Sequence, residues 1–204
     1  MVENQNGSFL EYAFEGIDGG GKTTAIKSLH KYYSEKGCNV AVLSGLSQTD
    51  FGKAIRRNIV KLNSMGMGGI RFFKEDICRS YASLDGTHAD ILLWDRHVYS
   101  IYAANAALPS LDVIRKAEPL ISEPPKVFIM NVPPDVAWVR EQEAQKGNHP
   151  ITPEWLVEKH ARYIDLLTTE PERFIGIDAT KPLNDVFSQL TGIIDGGLLR
   201  RKQL

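Results

Sequence analysis

Phe14-Glu15-Gly16-Ile17-Asp18-Gly19-Gly20-Gly21-Lys22-Thr23-Thr24 fits the pattern G-x-x-x-x-G-K-T. It follows an apolar run, Phe9 to Phe14, and leads straight into a helix-like segment, Lys22 to Glu35. A strand before and a helix after are the context this motif needs to hold phosphate. Glycines let backbone N–H groups curl around phosphate oxygens, the lysine reaches the β- and γ-phosphates, and the threonine hydroxyl ligates Mg²⁺. Gly16, Asp18, Gly19, Gly20, Gly21, Lys22, Thr23 and Thr24 are therefore the candidate nucleotide-binding set, with Lys22 also a candidate catalytic group and Thr23 a candidate metal ligand. ATP and Mg²⁺ are the cofactors this pattern implies.

Outward from the loop, short apolar runs alternate with helix-like stretches along the whole chain. Buried strands are expected at Phe9 to Phe14, Val40 to Leu43, Ile91 to Trp94, Val127 to Met130 and Phe174 to Ile177. Helices are expected over Lys22 to Glu35, Phe51 to Leu62, Ile70 to Ser83, Tyr99 to Ala107, Pro134 to Gln145, Pro153 to Leu167 and Leu183 to Ile194. Thr152-Pro153-Glu154-Trp155 reads as an N-cap followed by proline at the first helical position. The alternation predicts an α/β protein with a five-stranded parallel sheet. No internal repeat or long linker interrupts it, so residues 1–204 are expected to form one domain.

Composition excludes several classes. Lys and Arg number 24 against 25 Asp and Glu, a net charge of -1, so no overall field holds a nucleic acid or an anionic membrane. Cys38 and Cys78 lie far apart and lack metal-ligand spacing, so they read as reduced thiols. The start lacks a basic region followed by an apolar one, and no stretch approaches the roughly 18 apolar residues of a membrane span. The expectation is a cytoplasmic protein with no nucleic-acid or membrane partner.

The phosphate loop by itself names a superfamily. The chain has no N-K-x-D guanine signature, and its third strand ends in Asp95-Arg96-His97 in place of the D-x-x-G of GTPase switches. A motor or transporter ATPase needs more chain than this. A small-molecule kinase remains.

The opening from Phe14 to Thr24 resembles that of thymidylate kinases. Asp95-Arg96-His97 with Ser100 and Tyr102 is similar to the family's D-R-[YH]-x-x-S, and Ala161-Arg162-Tyr163 with Ile177 to Leu183 resembles its C-terminal part. The likeness runs over residues 9 to 190 in the right order. It implies a three-layer α/β/α P-loop kinase fold, a homodimer, and transfer of the ATP γ-phosphoryl group to dTMP under a mobile lid near residues 140–152. By the same resemblance Asp18 would accept a hydrogen bond from the acceptor's sugar hydroxyl. Arg96 would grip the acceptor phosphate with its fork, and Asp95 would help place Mg²⁺ or the acceptor. Asp178 to Pro182, mostly through backbone and the Lys181 stem, would lie against adenine, and Arg140 would supply a catalytic lid charge beside Lys146 and His149. Plainer roles stay open: an Asx turn for Asp18, a strand-end ion pair for Asp95 and Arg96, a solvated helix position for Arg140.

Three stretches depart from the family. Where it carries R-E-P-G-G-T this chain reads Ser44-Gly45-Leu46-Ser47-Gln48-Thr49, so the acceptor-phosphate arginine is absent and Arg56 is the nearest substitute. The base-reading helix offers Phe72, Phe73 and Arg79, with Phe73, Arg79 and Tyr102 as candidate acceptor contacts. The lid lacks the family's run of arginines. Two alternatives follow: a kinase for another nucleotide or for an unphosphorylated nucleoside, and a nucleotide-binding regulator without turnover.

Overall fold

The computed structural model describes residues 9–84, 86–119, 123–144 and 151–201. Its centre is a sheet of five parallel strands: β1 (Leu10–Glu15), β2 (Val40–Ser44), β3 (Ile91–Asp95), β4 (Lys126–Asn131) and β5 (Phe174–Asp178), in the order β2-β3-β1-β4-β5. β3 from Ile91 to Trp94, β4 from Val127 to Met130 and β1 from Tyr12 to Phe14 are apolar runs because helices cover both faces of the middle of the sheet. Phe14, Ile91, Leu92, Leu93, Trp94 and Val127 are wholly buried. The edge strand β2 leaves Val42 exposed.

Nine helices are present among the described residues: α1 (Lys22–Glu35), α2 (Asp50–Arg56), α3 (Ile59–Ser64), α4 (Met67–Ala82), α5 (Tyr99–Ala104), α6 (Leu111–Ala117), α7 (Pro134–Glu143), α8 (Pro153–Thr169) and α9 (Leu183–Arg201). Five strands were expected and five are found, displaced by a residue or so at their ends. The helices depart from expectation in ways that local chemistry explains. One predicted helix over 51–62 is two, α2 and α3, because Asn58 leaves helical geometry at φ -119°, ψ 29°. α5 stops at Ala104, where Asn105 turns extended and its Oδ1 accepts from Ala107 N at 3.1 Å. α6 buries few side chains, among them Leu111 and Ile114, too sparse a pattern to predict. α9 runs past its expected end because Gly197 is a packing residue: a Cβ there would lie 2.6 Å from Tyr12 Oη. α8 starts as read, with Thr152 Oγ1 accepting from Trp155 N at 3.2 Å.

β1 lies between β3 and β4, so the chain leaving its C-terminal end crosses over β3 to reach β2, while β3 connects across β1 to β4. The loops after the strands gather at that carboxyl edge, where ligands sit in open α/β sheets. No helix among the described residues is long and apolar enough to cross a membrane.

Candidate active site

The loop between β1 and α1 is shaped by positions that tolerate no side chain. Gly16 has φ +131° and a Cβ there would meet Met130 O at 2.7 Å; Gly19 has φ +77° and a Cβ would meet Ala137 O at 2.4 Å. Only glycine satisfies both the left-handed backbone and the close approach. α1 opens on Gly21 with no side-chain cap and no acidic residue in its first turn, so its first N–H groups are left for an anion. Lys22 is buried; its Nζ donates to Gly16 O at 3.0 Å and to Ile17 O at 2.7 Å. Burial, with the nearby Arg96 charge behind it, brings the Lys22 pKa down to about 7. Neutral carbonyls compensate an ammonium poorly, and phosphate oxygens would compensate it better.

Above the loop opens a cavity of about 950 Å³. One end is bounded by Arg140, Ala179, Lys181, Leu183 and Val186, where both Arg140 Nη atoms donate to Ala179 O at 3.1 Å. The other end is bounded by Ile59, Val60, Asn63, Phe73, Ile101 and Ala104, with Ser47 and Arg56 beside it and bonded to each other. Between the two ends stand Asp18, Lys22, Thr23, Asp95 and Arg96. Thr23 Oγ1 donates to Asp95 Oδ2 at 2.8 Å, which joins the helix start to the end of β3.

Arg96 has φ +71°, a conformation uncommon for a residue with a Cβ. Its surroundings hold it there. The backbone N–H donates to Phe14 O at 3.1 Å, Nη1 donates to Gly16 O at 3.3 Å and Ser100 Oγ at 3.2 Å, and Nη2 donates to Asp18 Oδ1 at 2.5 Å. Asp18 Oδ2 also accepts from Lys159 Nζ at 3.1 Å. Burial pushes the Asp18 pKa up, but Arg96, Lys159 and Lys22 overcome it and hold the carboxyl well below its ordinary range.

Beneath Arg96 lies Glu15, fully buried, accepting from His97 N at 2.7 Å, Ser100 Oγ at 2.6 Å and Tyr163 Oη at 2.8 Å. Burial raises its pKa against the pull of Arg96 and these donors. Glu15 thus ties β1, the turn after β3 and α8 into one frame under the cavity. Glu15→Ala leaves those buried donors unsatisfied and removes a negative charge from beneath Arg96, and it is expected to cost about 3 kcal/mol or more of stability. Urea unfolding checks this, and an unchanged midpoint would show that Glu15 is no such anchor.

The structure brings most of the sequence-predicted residues to one place. Asp18, Gly19, Gly20, Gly21, Lys22, Thr23, Thr24, Arg56, Phe73, Asp95, Arg96, Arg140 and Lys181 line the cavity, and Gly16 lies under it with its carbonyl bonded to Lys22 and Arg96. Arg79 and Tyr102 do not line it. Arg79 sits on the outer face of α4, paired with Glu75 at 2.7 Å and stacked over Phe51 at 4.5 Å. Tyr102 is buried under the Arg162 guanidinium, 4.1 Å from its ring centroid. Lys146 and His149, named for the lid, lie outside the described residues. Lys159 and Trp155 line the cavity without having been expected there. The signal for Lys159 was available: a lysine in the stripe of α8 otherwise built from Leu156, Tyr163 and Leu166.

Comparison with known proteins agrees with this geometry. The thymidylate kinase family model matches residues 14–190. A thymidylate kinase of Thermoanaerobacter sp. (strain X514) is 24% identical over 200 residues, covering 92% of this chain and 97% of that one. That of Thermosipho melanesiensis is 29% identical over 196 residues, covering 90% and 96%. A probable thymidylate kinase of Halobacterium salinarum (strain ATCC 29341 / DSM 671 / R1) is 27% identical over 179 residues, covering 82% and 86%. With the phosphate loop, the Asp95-Arg96 pair and both ends of the cavity inside the matched span, the chain belongs to the thymidylate kinase family.

Proposed function

We propose that the protein transfers the γ-phosphoryl group of ATP to dTMP, releasing ADP and dTDP. The observation that carries this reading is the two-ended cavity, whose ends meet at Lys22 and Arg96 over the phosphate loop. ATP would lie with its base near Ala179 and Lys181 and its phosphates on the amides from Gly19 to Thr24. dTMP would enter from the side of Phe73, whose ring supplies an apolar face for the base.

The bond from the γ-phosphorus to the β–γ bridging oxygen breaks as one from an acceptor phosphate oxygen forms, so the protein's tasks are alignment and charge neutralisation. Lys22 would leave the Gly16 and Ile17 carbonyls for the β- and γ-oxygens. Arg96 would present its fork to the acceptor phosphate, and Asp18 would accept from a sugar hydroxyl. Arg140, bonded to Ala179 O beside the loop, would add positive charge on the donor side. Thr23 and Asp95 are hard oxygen donors that suit Mg²⁺, which would screen the phosphate charges when bound. We also infer a homodimer working in the cytoplasm, on the strength of the family resemblance.

A panel of monophosphates with ADP release as readout tests the function. dTMP should give release well above the ATP-only background and yield a diphosphate. No release with any monophosphate would defeat the reading. Equal rates on thymidine and dTMP would favour the nucleoside-kinase alternative, to which the Ser44 position points. Nucleotide binding without turnover would favour the regulatory one.

A further inference from the structure

Lys159 is 5% exposed, in a helix stripe that is otherwise apolar. A buried ammonium is costly unless an anion compensates it. Its partner is Asp18, at 3.1 Å, and the Trp155 ring one turn earlier offers its face at 4.3 Å. Yet Asp18 is already compensated by Arg96 on its other oxygen. One carboxylate therefore holds two cations, and Lys22 acts on it as well. Burial lowers the Lys159 pKa, Asp18 draws it back up, and Arg96 pushes it down again.

The same excess marks the whole cavity, where six cationic side chains among the described residues face three carboxylates. Charge beyond what the protein's own anions need is placed for an anion that arrives. The loop amides and Lys22 serve the donor phosphates. α8 packs on α5, whose Ser100, Ile101 and Ala104 line the acceptor side, as well as on α7, and the Asp18 carboxylate that both cations share puts Lys159 next to Arg96 at the junction.

We propose that Lys159 is a second substrate-touching cation, gripping the phosphate of the acceptor monophosphate together with Arg96. The ammonium has three donors. One swings from Asp18 Oδ2 to a phosphate oxygen as the dianion enters, and the vacated carboxylate oxygen is then free for the sugar hydroxyl. Binding of the phosphate and reading of the sugar are thereby linked through one carboxylate. This rests on the monophosphate-kinase reading.

Calorimetry with dTMP, thymidine and ADP on wild type, Lys159→Gln and Lys159→Arg tests it. Glutamine keeps an N–H donor for Asp18 while losing the charge and some of the reach. Lys159→Gln should bind dTMP about 10- to 100-fold more weakly, with ADP affinity unchanged and thymidine bound no more weakly than by wild type. Lys159→Arg should retain most of the dTMP affinity. Equal losses for thymidine and dTMP would overturn the proposal, since Lys159 would then act only through Asp18. dTMP binding retained by wild type and Lys159→Gln alike would overturn it alone; a wild type that binds no monophosphate would overturn the kinase reading with it. If melting shows that the glutamine form does not fold, Lys159→Met serves on the same criteria.

Discussion

Lys22→Ala is expected to lower turnover by about 10³-fold or more, because one preorganised donor at a transition state contributes about 10²–10³ and this one also carries charge. The ammonium has few partners of its own, two carbonyls at 3.0 and 2.7 Å, and both belong to the loop that is to receive phosphate. Its pKa near 7 means that the fold strains against the charge. Between the ordinary lysine pKa of 10.5 and about 7, the unfolded chain takes up a proton that the folded one does not, so stability falls as pH drops through that window. Alanine removes this penalty, so the variant should melt no lower than wild type at pH 7. Steady-state ADP release and thermal melting measure both halves. A folded Lys22→Ala with turnover within about tenfold of wild type would show that Lys22 makes no contact with the moving group.

The phosphate loop was legible in the sequence because glycines needing positive φ at positions 16 and 19 are followed directly by a helix, although the carbonyls that leave no room for a Cβ there, those of Met130 and Ala137, come from far along the chain. The strands were legible for a similar reason, since burial on both faces forces continuous apolar runs. Contacts across the cavity were not. Phe73 and Arg79 are six residues apart on α4, about 600° at roughly 100° per residue, which puts them on different faces. Phe72 and Arg79, seven apart, share the outer face, and both lie against Phe51 there. One turn after Phe73 comes Ile77, buried and apolar, so that helix places no cation beside the aromatic. On α5 the same geometry sends Ile101 toward the cavity and its neighbour Tyr102 under Arg162. Lys159 escaped because its meaning depends on Asp18, 141 positions away in sequence.

Arg96→Ala should damage acceptor use far more than donor use. The guanidinium is half-buried just past the end of β3, on a residue in a left-handed backbone conformation, held by Gly16 O, Ser100 and Asp18 on one side and by the field of Glu15 below. A positive φ on arginine is tolerated only where the surroundings over-determine it, and this frame does so while aiming the fork into the cavity. Cutting it back to alanine removes the planar donors that match phosphate oxygens and frees Asp18 to pair with Lys159 alone. The expected loss in kcat/KM for dTMP is about 10²–10³-fold, with the KM for ATP little changed. Arg96→Lys restores the charge but not the two-pronged geometry, so it should recover only part of that loss. Initial rates with each substrate varied in turn separate the two effects. An Arg96→Ala enzyme whose dTMP kinetics match wild type would move the acceptor phosphate elsewhere in the cavity and leave the strained backbone at residue 96 without a function.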